Sequence, residues 1–217
     1  MGNSEKLMNH TEFKSKFFVP SVGFDWRVTS SRLMYGGYLV LVIILLIASN
    51  LDLTDYADYL TRIISFSILG IIIFASFWGT REKEKKHGKL KGDLLLSLDY
   101  ISVNDTRYSW SQLVEFKLGL FSVLDEKLWS ETYSIAKYYG GPAYSQGVDN
   151  YIQFKTGDQR IKIFFQLETP SHKVELRRIM QLLFINDRID LSTTYLGLNL
   201  EYEAIQELKK AKIKYLE

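Results

Sequence analysis

The feature that most constrains this chain is a pair of uncharged runs set close together, Leu33–Leu51 and Ile63–Thr80, 19 and 18 residues long. A helix rises about 1.5 Å per residue, so each run reaches roughly 27–29 Å, close to the ~30 Å hydrocarbon core of a bilayer. The first is built around YLVLVIILLIAS and the second around ISFSILGIIIFASFWG. A core helix of a soluble protein keeps a polar stripe, and Leu39–Ile47 has none. The first run begins well inside the chain and the second follows it closely, which argues against a cleaved leader. We therefore expect a transmembrane hairpin over residues 33–80.

Charge on the flanks orients it. Residues 1–32 carry five Lys/Arg, the connector Asp52–Arg62 one beside three Asp, and Arg81–Lys91 six. Positive flanks mark the cytoplasmic side, so both termini are expected inside and the acidic connector outside. Arg32 and Tyr35 at the entrance, and Trp78, Arg81, Lys83, Lys85 and Lys86 at the exit, suit the interface between lipid and water. The stretch 81–91 is expected to extend the second helix by about two turns, with Glu82 and Lys86 paired at i,i+4. Upstream, residues 12–28 place Phe17, Phe18 and Trp26 beside Lys14, Lys16 and Arg27. Such rings either enter the headgroup region or pack on the protein's own soluble part.

Beyond Gly92 the pattern becomes alternating and punctuated. Short strands are expected at 93–98, 100–103, 107–110, 113–123, with a bulge at Gly119, and 128–139. The clearest signal is a hairpin, Tyr151–Lys155 and Arg160–Leu167 around Thr156-Gly157-Asp158-Gln159, with apolar residues on alternate positions. The period then turns helical. Thr169 caps, Pro170 enters the first turn, and Leu176, Ile179, Met180 and Leu183 line one face over about Ser171–Phe184. A final, peripheral helix is expected over Glu201–Tyr215, capped by Asn199.

About seven strands followed by one amphipathic helix within roughly 100 residues resembles the pleckstrin-homology (PH) architecture, and in particular the bacterial YcxB-like domains that follow paired transmembrane helices. The residues carrying the likeness are Tyr108-Ser109-Trp110 leading into Leu113-Val114, then Asn150–Phe154, Phe164–Leu167 and the helix Lys173–Leu183. The resemblance implies an α+β membrane protein: a two-helix hairpin plus a cytoplasmic PH-like antiparallel barrel or sheet at 92–186, capped by a helix, with an extension at 187–217. It also implies a bacterial inner membrane. It does not carry over a lipid-headgroup site. Inositide-binding members cluster basic residues on the early strands, whereas 93–123 offers only Arg107 and Lys117 against four acidic residues.

The residues themselves exclude much chemistry. With no cysteine and three scattered histidines, thiolate and histidine metal sites lack ligands, and no cofactor is expected. No phosphate-binding loop, dinucleotide fingerprint, zinc-protease or nucleophile-elbow motif occurs. Residues 92–217 hold 15 Lys/Arg against 17 Asp/Glu, a net of −2, so nucleic acid is not an expected partner. The glycine-rich stretch 138–150 offers Tyr138, Tyr139 and Tyr144 as walls of a partner or ligand loop, although a plain connection explains it as well. Asp149 and His172 are candidates for an acid–base pair only if the fold joins them. Neither span contains a charge, which leaves a proton relay without ionisable groups. Small residues Ser67, Gly70, Ala75 and Gly79 suit a helix contact. The expected function is a non-enzymatic, membrane-anchored binding or regulatory protein that engages a protein partner or its own copies. The alternatives are a membrane-perturbing or pore-forming effector and an immunity factor of a conflict system.

Overall fold

The structure, a computed structural model, describes residues 12–23, 26–51, 54–128 and 141–216. These fall into two compact units. One draws on residues within 1–22, 86–126 and 146–217, and the other on residues within 23–85 and 127–145.

The first unit is built on a seven-stranded antiparallel sheet. Its strands are β1 (Glu12–Pro20), β2 (Gly88–Ser97), β3 (Tyr100–Val103), β4 (Thr106–Ser109), β5 (Val114–Gly119), β8 (Asn150–Thr156) and β9 (Gln159–Phe165). They lie in the order β4-β3-β2-β1-β9-β8-β5. A separate two-stranded ribbon joins β6 (Leu124–Lys127) to β7 (Tyr144–Gln146). The expected β8–β9 hairpin is present, paired from Asn150↔Phe165 to Thr156↔Gln159 around a two-residue loop. Its alternation is also present: Ile152, Phe154, Ile163 and Phe165 are buried, and the intervening Lys155 and Lys162 are not.

Helix α3 (Pro170–Ile185) follows the expectation closely. Thr169 accepts the His172 amide at 3.1 Å, Pro170 starts the helix, and Leu176, Ile179, Met180 and Leu183 are buried against the sheet. An unexpected helix, α4 (Leu191–Leu198), comes next, capped by Asp190. It covers the edge strand β5, with Thr193 Oγ1 donating to the Phe116 carbonyl at 3.2 Å. An exposed strand edge invites pairing with other chains, and this cover removes it. Asn199, expected to start the last helix, instead ends α4 in the left-handed region (φ 50°). Helix α5 (Tyr202–Leu216) contributes buried Leu208 to the core, and Lys212 pairs with Asp187.

Two corrections concern the chain around the hairpin. Residues 12–20, whose rings were expected either in the headgroup region or on the protein's own soluble part, form a central strand that pairs with β2 along its whole length and with β9 at Phe17↔Phe165 and Phe18↔Phe164. Residues 88–91, read as a helical extension, belong to β2. Both follow from backbone pairing, since each strand satisfies the other's amides and carbonyls. The boundaries of the sheet unit therefore differ from the expected 92–186: it takes in β1, the start of β2, and α4 and α5. The expected bulge also moves. The irregularity in β5 lies between Val114 and Lys117, with Glu115 at φ 55°, and not at Gly119. The strand expected over 128–139 falls almost wholly outside the described residues.

The second unit is a helical hairpin. Helix α1 spans Ser30–Asn50 and α2 spans Asp55–Gly79. Thr29 caps α1 by accepting the Arg32 amide, and Thr54 caps α2 by accepting the Ala57 amide. Asp55 and Asp58 in the first turn of α2 complement its dipole, so the acidic connector is largely helical.

Candidate functional site

The hairpin is the most distinctive candidate. Its inner seam follows heptad-like spacing: Met34, Gly37, Leu41, Ile44 and Ala48 on α1, and Thr61, Ser65, Ile68, Ile72, Ala75 and Gly79 on α2, are the less exposed positions. Met34, Ile72 and Ala75 form its buried centre. Gly37 permits the approach, because a Cβ there would stand 2.8 Å from Ile72 Cγ1. Ser76 sits at the same level, donating to the Ile72 carbonyl at 3.0 Å and lying 3.5 Å from Met34 Sδ. Of the four expected small contact residues, Ala75 and Gly79 lie in this seam. Ser67 is exposed and a Cβ on Gly70 would meet nothing, so those two point away.

Outside the seam the surface between the helix ends is mostly apolar and uncovered. Both helices are long and apolar enough to cross a membrane, and only 6% and 11% of their most apolar windows are buried. Leu39, Val42, Ile43, Leu46, Ile64, Phe66, Ile71, Ile73 and Phe74 all expose large side chains. Aromatic rings mark both ends of the bare surface. Tyr35, Tyr38 and Trp78 stand at one, and Tyr56 and Tyr59, which the early start of α2 brings onto the helix, stand at the other. From Tyr59 to Trp78 is about 29 Å along the helix. The signal for the second belt was present in the sequence, but it lay in a stretch read as connector.

At the end where α1 starts and α2 stops, the chain is tied by polar contacts. Glu82 accepts the Ser30 amide at 3.1 Å and its hydroxyl. Arg32 donates to the Arg27 carbonyl at 2.8 Å, and Arg27 to the Lys85 carbonyl at 3.1 Å. Trp26 is 85% exposed, and Tyr35, Arg81, Lys83 and Lys85 are exposed as well. Glu82 is engaged by Ser30 and the helix has ended, so the expected Glu82–Lys86 pair does not form.

The remaining expected interface residues belong to the sheet unit. Phe18 is 5% exposed and Phe17 packs against the core, so both rings take the second of the two roles considered for them, packing on the protein itself. Lys86 pairs with Asp149, and its amide donates to Gln146 Oε1 at 2.7 Å. Tyr138 and Tyr139 lie outside the described residues. Tyr144 is in strand β7, half-buried, with its amide donating to the Glu82 carbonyl and its carbonyl accepting the Glu84 amide at 2.8 Å. Its backbone is thus part of a β pairing and not of an open loop.

Two features of the sheet unit were not anticipated. One is a polar cleft of about 320 Å³ between β1 and the start of α3. Lys14 and Lys16, two apart on one face of β1, both reach Asp93, at 3.0 and 2.6 Å. The hydrogen bonds from Lys16 and then Lys14 hold the Asp93 carboxyl below its ordinary value of 3.8. In the same cleft His172 Nε2 lies 2.6 Å from the Lys14 carbonyl, and Nδ1 faces the Glu168 amide at 3.4 Å. An amide can only donate and a carbonyl can only accept, so these two contacts match the tautomer with its proton on Nε2. Asp149 and His172 thus have different partners and form no acid–base pair. The depressed Asp93 carboxyl stabilises the fold above its unfolded-state pKa and ceases to do so as pH falls through the lower folded value. Asp93→Asn should therefore flatten the dependence of the melting temperature on pH below about pH 4. The effect is small because the cluster is exposed, and thermal melts from pH 2 to 7 measure it.

The other feature is the side chain of Asn150, wholly buried. It accepts the Phe121 and Ser122 amides at 2.9 and 3.2 Å and donates to the Ser122 and Gly147 carbonyls at 2.8 and 2.9 Å. Those partners flank the excursion through β6 and β7. Gly147 belongs to the same clamp: at φ 70° a Cβ would stand 2.5 Å from the Leu124 amide nitrogen and 2.7 Å from the Leu167 carbonyl.

Among the described residues no group of three or more His, Cys, Asp or Glu could hold a metal ion. No family model, curated protein or solved structure matches the chain. The likeness to YcxB-like domains therefore rests on the sequence pattern alone.

Proposed function

We propose that this chain is a membrane-anchored, non-enzymatic binding or regulatory protein. Its hairpin spans a bacterial inner membrane with both termini in the cytoplasm, and its PH-like sheet unit is presented to a protein partner or to a second copy. The observation that carries the anchoring is the outward surface of α1 and α2. A core helix of a soluble protein is mostly covered, and these are mostly bare. An exposed apolar surface of that extent is unfavourable in water and favourable in lipid. The two aromatic belts, about 29 Å apart, fit the two faces of a bilayer. The basic residues gathered at one end, against Asp55 and Asp58 at the other, support the orientation. Seven antiparallel strands followed by α3 are consistent with a PH-like scaffold, although a scaffold alone does not name a ligand.

Carbonate washing of membranes, followed by mild-detergent purification of the full chain, tests both halves. The reading expects the chain to stay in the washed membranes and to purify with a stoichiometric protein or as an oligomer. A monomer carrying only lipid would contradict the presented-domain half, and dye leakage from vesicles holding the chain would favour a pore-forming effector.

A further inference from the structure

The exit of α2 has a local chemistry that anchoring alone does not use. Phe74, Phe77, Trp78, Thr80 and Arg81 line a crevice of about 340 Å³ at the point where the apolar helix stops. Its walls are three rings, with Phe74 and Trp78 6.4 Å apart, and its mouth is a guanidinium. Among the described residues neither Arg81 nor Lys85 forms an ion pair. The nearest acid in sequence, Glu82, is engaged by the amide and hydroxyl of Ser30.

Negative ends of helices normally repel anions, but here the last carbonyls are occupied. The Phe77 carbonyl accepts Thr80 Oγ1 at 2.7 Å, the Trp78 carbonyl accepts the Arg81 amide at 3.0 Å, and the Gly79 carbonyl accepts the Glu82 amide at 3.2 Å. These bonds satisfy the Phe77, Trp78 and Gly79 carbonyls, which lessens the repulsion of an anion there. The Arg27 guanidinium lies at the Lys85 carbonyl and that of Arg32 at the Arg27 carbonyl, so the cations before α1 and after α2 gather at one corner.

We propose that this crevice binds one anionic phospholipid of the adjoining leaflet. An acyl chain lies along Phe74, Phe77 and Trp78, and the headgroup phosphate accepts from Arg81. A guanidinium offers a planar pair of donors that matches phosphate oxygens, which a lysine does not. Arg81, with the exposed Lys85 four residues on, disfavours the cationic group of a zwitterionic lipid, so the site discriminates by net headgroup charge. This inference rests on the reading that the hairpin spans the membrane.

Native mass spectrometry of the full chain in detergent, titrated with phosphatidylglycerol or with phosphatidylcholine of the same acyl chains, tests it. The wild type should bind phosphatidylglycerol about ten-fold more tightly, corresponding to about 1.4 kcal/mol. Arg81→Gln should weaken both lipids, because both carry the phosphate that Arg81 holds, and phosphatidylglycerol the more, because a cation that disfavours choline is lost as well. Phe77→Ala, at an exposed position that the fold does not need, should weaken both lipids alike. Soluble glycerol 3-phosphate should compete poorly, since it lacks the acyl half. Equal affinity for the two lipids, binding of both left unchanged by Arg81→Gln, or full competition by glycerol 3-phosphate would each overturn the site. A chain that inserts in bilayers but shows no preference defeats this inference alone. A chain that is soluble without detergent defeats the spanning reading together with it.

Discussion

Val42→Arg and Ile71→Arg, each near the middle of an uncharged run and away from the seam, should strip the chain from the membrane. A charge at the centre of a spanning helix costs about 2.5–3.5 kcal/mol of insertion, roughly a hundred-fold in the partition. Both side chains are about half exposed, at 52% and 47%, and neither belongs to the buried cluster of the seam. The same substitutions distinguish the alternatives by sign. On a soluble protein, arginine at an exposed site changes stability by no more than about 0.5 kcal/mol and improves solubility. Here it should produce carbonate-extractable or degraded chain. Leu51→Arg, at the end of the first run, should be much milder because the side chain can reach the headgroups.

The second large effect is expected at Asn150. Asn150→Ala removes both acceptor contacts to the Phe121 and Ser122 amides and both donor contacts to the Ser122 and Gly147 carbonyls. Each buried group left without a partner costs about 1–3 kcal/mol, so the four together cost at least about 4 kcal/mol. That is a large share of the 5–15 kcal/mol typical of a folded domain. Asn150→Asp should not rescue it, since a carboxylate keeps the acceptors but presents no donor to the two carbonyls. Urea unfolding of the full chain in detergent, followed by tryptophan fluorescence, measures the shift. A midpoint within error of wild type would mean that the clamp is dispensable.

How much of this was legible in the sequence depended on periodicity. The β8–β9 hairpin and α3 each carry a single unbroken period with a turn or cap at the boundary, and they fall within a residue or two of expectation. The two long apolar helices were legible because each is a continuous apolar run in the sequence. Strand β1 was obscured by composition. Its rings beside lysines fit an interface, but Phe13 and Ser15 alternate with Lys14 and Lys16, and that period of two was the better guide. Residues 88–91 were placed in the helical extension with the rest of 81–91, whose support was the Glu82 and Lys86 spacing, whereas the Lys89-Leu90-Lys91 alternation belongs to β2. The cleft at Asp93 and the Asn150 clamp were not legible. They join residues from distant stretches, Lys14 with Asp93 and Ser122 with Asn150, and no local pattern announces such a meeting. Helix α4 was missed because eight residues give too short a period. Its terminator, Asn199, was assigned to the helix that follows.

The central claim is that α1 and α2 span a membrane with both ends of the chain on the cytoplasmic side. The chain has no cysteine, so single introduced thiols can be labelled without background. Asp55→Cys lies in the first turn of α2, at the end joined to α1, and Ser171→Cys at the start of α3, both exposed. In intact cells a membrane-impermeant maleimide should label the cysteine at position 55 and reach the one at 171 only after lysis. Labelling of position 171 with protection of 55 would reverse the orientation, and recovery of both variants in the soluble fraction would contradict the spanning hairpin itself.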